Sequence, residues 1–147
     1  MENVRGIECS IFGGEIRKLL FSMADMPFEF YIRWCKKIGS DHSILPKSFT
    51  PQWVSSQRLK ELAKDSIWEL VLHAYPAGAS HRTIDTYDDF INSQCACCLI
   101  FYDCGLLDLY VRNPSLREHL EDLLQSFQAE NIALITDESD GRTGLYV

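Results

Sequence analysis

At 147 residues, with 46% hydrophobic and 12% aromatic side chains, the chain has the composition of one folded domain and not of a disordered segment. Its 14 Lys and Arg against 21 Asp and Glu leave a formal charge of −7, which speaks against phosphate-driven binding to nucleic acid or to an anionic membrane, since both need clustered cations. An acidic field of this kind favours a basic partner, or serves solubility alone.

Residues 1–21 lack the positive segment and continuous apolar run of a secretory signal. The mostly apolar run 95–111 contains Asp103 and Asp108, each costing roughly 2.5–3.5 kcal/mol near a bilayer centre. A cytoplasmic protein that does not enter the membrane is expected, with its 6 cysteines as reduced thiols and not a disulfide framework.

In residues 4–12, Ile7, Cys9 and Ile11 alternate with Glu8 and Ser10, which predicts a strand that Gly13-Gly14 ends. Ile16, Leu19, Leu20 and Met23 then follow the spacing of an amphipathic helix over 15–25, stopped before Pro27. Phe28, Phe30, Ile32 and Trp34 return to period two over 28–35. Residues 36–56 carry Gly39, Pro46 and Pro51 and read as mostly irregular, with room for one edge strand. A short helix over 57–64 follows a Ser55 or Ser56 cap, and the apolar segment 67–75 predicts a strand near the sheet centre. Thr86 and Asp89 have the spacing of a capping box opening a short helix.

Residues 95–113 read as a hairpin turning at Asp103-Cys104-Gly105. A register with Tyr102 opposite Leu107 puts Ile100 opposite Leu109 and Cys98 opposite Val111, which gives one uncharged face. The other face then carries Cys97, Leu99, Phe101, Asp108, Tyr110 and Arg112. Asn113-Pro114 is an N-cap with proline at the first helical position, and Leu116, Leu120, Leu123, Leu124 and Phe127 mark a helix over 114–129. A strand at 132–136, a polar turn at 137–141 and a final strand at 142–147 complete the chain.

Three groups of residues invite chemistry. Cys95, Cys98 and Cys104 include a C-x-x-C spacing, which opens the alternative of a metal-dependent or redox enzyme, but the motif leads into an apolar strand and lacks the helix N-terminus that would lower a thiol pKa. His42, His73, His81 and His119 have no tight ligand spacing. His81 with Asp85 could pair as a base and its orienter, yet no nucleophile can be assigned to them. The 137–141 loop departs from a calcium loop at its first and twelfth ligand positions and reads as a solvated turn whose charge Arg142 partly balances. No catalytic residue, metal or cofactor is assigned.

Arg5-Gly6-Ile7, Ala74-Tyr75-Pro76, Thr86-Tyr87-Asp88-Asp89-Phe90, Ser93-Gln94-Cys95 and Leu99-Ile100-Phe101-Tyr102-Asp103-Cys104 form a distinctive set. With Leu109-Tyr110 and the run from Ile135 to Thr143, the chain resembles a family of small uncharacterised proteins of Bacillus-like Gram-positive bacteria, classed as a domain of unknown function. The resemblance implies no catalytic residue. By size, charge and source it implies an analogy with immunity proteins, which cover the active site of a toxin domain.

The expectation is therefore an α+β domain over residues 1–147, with a largely antiparallel, mixed sheet of about five to seven strands, two main helices packed on it and one or two short ones. Its expected role is a non-enzymatic cytoplasmic protein-binding module, in sharpest form an immunity protein, that takes a basic partner on a face carrying Phe101, Asp108, Tyr110 and Arg112.

Overall fold

In the computed structural model, which describes residues 3–38, 44–45, 50–102 and 105–147, the period-two segments pair into one sheet. β1 (Val4–Ser10) leads into α1 (Gly13–Ala24) and β2 (Phe28–Ile38). The short β3 (Ile44–Leu45) and β4 (Gln52–Val54) precede α2 (Ser56–Leu62) and β5 (Ser66–Pro76). Then come α3 (Tyr87–Ile91), β6 (Cys97–Phe101), β7 (Leu106–Val111), α4 (Pro114–Ser126) and β8 (Glu130–Thr136). The 8-stranded sheet runs β3-β2-β5-β6-β7-β1-β8, with β4 also on β2. Every described pairing is antiparallel, so the fold is α+β as expected but without parallel pairs.

The two faces of the sheet are covered differently. On one, Phe30, Leu72, Leu99, Phe101 and Leu109 pack with Leu19 and Leu20 of α1, Leu59 of α2 and Leu120 and Leu124 of α4. On the other, Val71, Tyr75, Cys98, Ile100 and Tyr110 pack under Ile84 and Phe90 of the β5–β6 connection and under Leu145 of the C-terminal segment. Local signals hold where they are local. The Asn113 side chain accepts from the Ser115 and Leu116 amides at 2.8 and 3.3 Å, with Pro114 in the first turn. The Thr86–Asp89 capping box is closed, and the Ser55 hydroxyl accepts from the Arg58 amide at 3.0 Å.

Four expectations are corrected. Phe101, not Tyr102, lies opposite Leu107, so Leu99 pairs with Leu109 and Cys97 with Val111. The cause is the turn. The Tyr102 amide donates to the Leu106 carbonyl at 3.0 Å and Gly105 sits at φ +88°, so three residues connect the arms and not four. Asp103 and Cys104 themselves lie outside the described residues. In β2 the pairing shifts between Ile32 and Trp34, and this bulge sends Trp34 to the face of Val71 while Ile32 stays with the helices. Instead of one edge strand in 36–56, two short strands, β3 and β4, lie beside β2.

Residues 142–147 form no strand. They lie across the second face, held by the Leu145 amide donating to the Asp85 carbonyl at 2.9 Å. At Gly6 the backbone of β1 comes so near β7 that a Cβ would stand 1.8 Å from the Leu109 carbonyl oxygen. No helix among the described residues is long and apolar enough to cross a membrane.

Candidate functional site

A cleft of about 640 Å³ opens on the second face where β7, β1 and β8 meet the 140–142 segment. The β1–β7 ladder builds it, because Asp108 and Tyr110 fall on the side to which Glu8 and Ser10 point. Glu8 lies directly opposite Asp108 in the β1–β7 ladder, an arrangement of like charges that a sheet normally avoids. Asp140 adds a third carboxylate at the lining.

Two guanidinium groups answer these three acids. Arg142 Nε donates to Asp108 Oδ2 at 2.7 Å, and its charge lies 4.8 Å above the Tyr102 ring. Arg5 donates to Asp140 Oδ2 at 3.2 Å while the Tyr110 hydroxyl donates to Asp140 Oδ1 at 3.0 Å. The compensation is incomplete. Burial, reinforced by the negative fields of Glu8 and Asp140, pushes the Asp108 carboxyl up to about 6 even with Arg142 beside it. Burial and then Asp140 likewise raise the Tyr110 phenol, which stays a hydrogen-bond donor. Chemically, the site is a partly desolvated acidic recess one positive charge short of neutral.

Of the four residues expected to share a face, the structure brings Asp108 and Tyr110 together. Phe101 is buried on the opposite, helix-covered face, by the register change already described. Arg112 lies on the second face but is tied to its own chain, donating to the Ile91 carbonyl at 3.0 Å and the Cys95 carbonyl at 2.9 Å. Glu8, Asp140, Arg142 and Arg5 were not singled out as a site. The available signal was the pairing of Glu8 with a polar alternate position of the hairpin, whereas Arg142, expected to balance its own loop, sends its side chain to Asp108 across the sheet.

The cysteine and histidine groups behave differently from an active site. Cys95 and Cys98 share the second face and Cys97 the first, because residues 95 and 96 precede the strand. Burial raises the Cys95 thiol to about 12 and holds Cys97 and Cys98 well above the ordinary range, which works against thiolate chemistry. Cys104 and His42 lie outside the described residues.

His81 does not meet Asp85 as a dyad. Its Nδ1 is 3.1 Å from the Tyr75 hydroxyl and its ring stacks on Tyr31 at 3.6 Å, while Asp85 pairs with Arg33 at 2.5 Å. His73 is fully buried with neither ring nitrogen partnered among the described residues, and burial lowers its pKa to about 3. Among the described residues no three His, Cys, Asp or Glu side chains are placed to hold a metal ion.

Comparison with known proteins places the chain among uncharacterised bacterial relatives. The "Uncharacterized protein YncE" of Bacillus subtilis (strain 168) is 33% identical over 76 residues, 52% of this chain and 50% of the relative. The match thus spans about half the length of that relative. No solved structure matches. A family model described as "Protein of unknown function (DUF2691)" matches residues 16–146, which take in the elements above except β1 and the first residues of α1, and the chain belongs to that family.

Proposed function

We propose that this protein is a non-enzymatic protein-binding module whose acidic cleft receives a basic side chain of a protein partner. The observation that carries the reading is the Glu8–Asp108 pair. Two carboxylates face each other across a ladder inside a cleft of about 640 Å³, with Asp108 already held by Arg142 and still raised to about 6. A Lys or Arg brought between them removes a standing repulsion, and the net charge of −7 steers such a partner inward. The rim suits a protein surface. Leu106 is 51% exposed there, and Phe12, just beyond β1 at the same end, is 68% exposed. The sharper form of this proposal is a cytoplasmic immunity protein that covers a basic toxin surface; small size and acidic charge support it.

The test is affinity capture of the tagged chain from its source lysate at moderate and high salt, run beside a Glu8→Gln/Asp108→Asn variant shown by circular dichroism to keep the parent fold. A basic partner retained by the parent, released by salt and missed by the variant is the expected result. Retention of the same partner by the variant, or no partner at all, overturns the proposal.

A further inference from the structure

We propose that the partner enters as an extended strand added to β8, alternating basic with apolar side chains. The inference rests on the cleft reading above and names how that site is reached. β8 closes one side of the sheet and, among the described residues, pairs only with β1. At the opposite side the outer strands are blunted by length, β3 having 2 residues and β4 having 3. β8 has 7 residues, ENIALIT, with no Lys, Arg or Pro among them, and the irregularities of its pairing with β1 are confined to the two ends, between Val4 and Gly6 and between Glu8 and Ser10. Its ladder to β1 is regular from Gly6↔Ile135 through Ile7↔Leu134 to Glu8↔Ala133. Alternate backbone N–H and C=O groups of such a strand point outward, and over its central residues a new strand finds a short template; Thr136 at its end is bonded instead within the following turn.

The side chains specify what fits. Ala133 shares a face with Glu8 and is exposed, so only a methyl group stands between the edge and that carboxylate. A strand added to β8 would lie roughly 10 Å from β1, two strand spacings. An extended Lys or Arg lying over Ala133 covers that span toward Glu8, and Asn131 and Ile135 of β8 already line the cleft. On the other face Leu134 is 43% exposed and offers the alternate positions an apolar contact. Glu130, Asp137 and Glu138 flank the edge with further negative charge. These flanks also disfavour a second copy of this chain, because antiparallel self-pairing would bring one acidic end against the other.

The test uses a seven-residue peptide alternating Arg and Val, its Glu–Val counterpart, and the Arg–Val peptide N-methylated at alternate amides. Calorimetry gives affinity, and hydrogen exchange locates it. The expected result is binding of the Arg–Val peptide alone, with slowed exchange of β8 amides. N-methylation should weaken it about tenfold or more through lost backbone hydrogen bonds. Ala133→Leu should weaken it similarly at unchanged melting temperature.

Equal binding of the N-methylated peptide, lost in Glu8→Gln/Asp108→Asn, overturns strand addition while leaving the cleft reading intact. Absence of binding by every peptide overturns strand addition, and the cleft reading is then judged by the capture experiment. A concentration-dependent dimer abolished by Leu134→Lys overturns it in favour of a second copy.

Discussion

The two faces of the sheet solve the same burial problem with different materials. The helix-covered face is closed by α1, α2 and α4, whose backbone groups bond internally, so only apolar stripes are needed on the sheet side. The second face is closed by the β5–β6 connection and the C-terminal segment, whose irregular backbone leaves carbonyls without ladder partners. Arginines take up that role. Arg33 donates to the Ile84 carbonyl, Arg112 to those of Ile91 and Cys95, and Arg142 to those of Gly144 and Tyr146. Charge is therefore built into the second face by the way it is covered, and the cleft lies where that covering stops.

The largest test of this contrast is on the helix side. Leu99 is fully buried between Leu72 and Leu109. Leu99→Ala is expected to cost about 2–5 kcal/mol, the range for a core leucine whose cavity cannot collapse. Chemical denaturation checks it, and a loss below 1 kcal/mol would show that the face repacks freely.

Next comes a pH effect confined to the cleft side. Burial pushes the Asp108 carboxyl up to about 6 in the fold, against 3.8 for the free side chain. A carboxyl whose folded pKa is raised adds stability that is fully present below its unfolded pKa and is lost as pH rises through its folded pKa. The parent should therefore lose about 2 kcal/mol relative to Asp108→Asn between pH 4 and pH 7. Paired unfolding curves at each pH measure the difference. A flat difference would mean that Arg142 fully compensates the carboxylate.

His73 gives the third test, with the opposite sign to Leu99. Both ring nitrogens are buried without partners, so His73→Phe should stabilise by about 1–3 kcal/mol, the usual cost of unsatisfied polar atoms. The gain should grow as pH falls below 6.5, because the folded histidine stays neutral to about 3 while the unfolded one takes up a proton. Destabilisation on denaturation would reveal a role for the imidazole in the stack with Tyr31 and His81.

The same contrast explains what the sequence disclosed. Features written within a few residues were legible: the alternation of Ile7 and Cys9 against Glu8, the stripe of α1, and the caps at Ser55, Thr86 and Asn113. What failed turned on single residues that shift a period-two pattern. Gly105 at φ +88° shortens a loop by one residue and moves Phe101 to the other face. The bulge after Ile32 does the same to Trp34. Half of the cleft was illegible because Arg142 meets Asp108 34 positions away, and Arg5 meets Asp140 at a separation of 135. No local pattern encodes such a pairing.

The smallest effect distinguishes the coverings most directly. Thr86→Ala opens the capping box of α3 and Asn113→Ala removes the cap of α4, each costing about 1 kcal/mol. The consequences should differ in extent. α4 buries Leu120 and Leu124 in the main core, so its cap loss should appear as a uniform fall in global stability. α3 has 5 residues and anchors the irregular cover through Phe90, so losing its cap should speed hydrogen exchange across 77–96 while strands β6 and β7 keep their protection. If Thr86→Ala instead lowers protection everywhere alike, the second face opens only with the whole sheet, and its covering is as much a part of the core as the helices are.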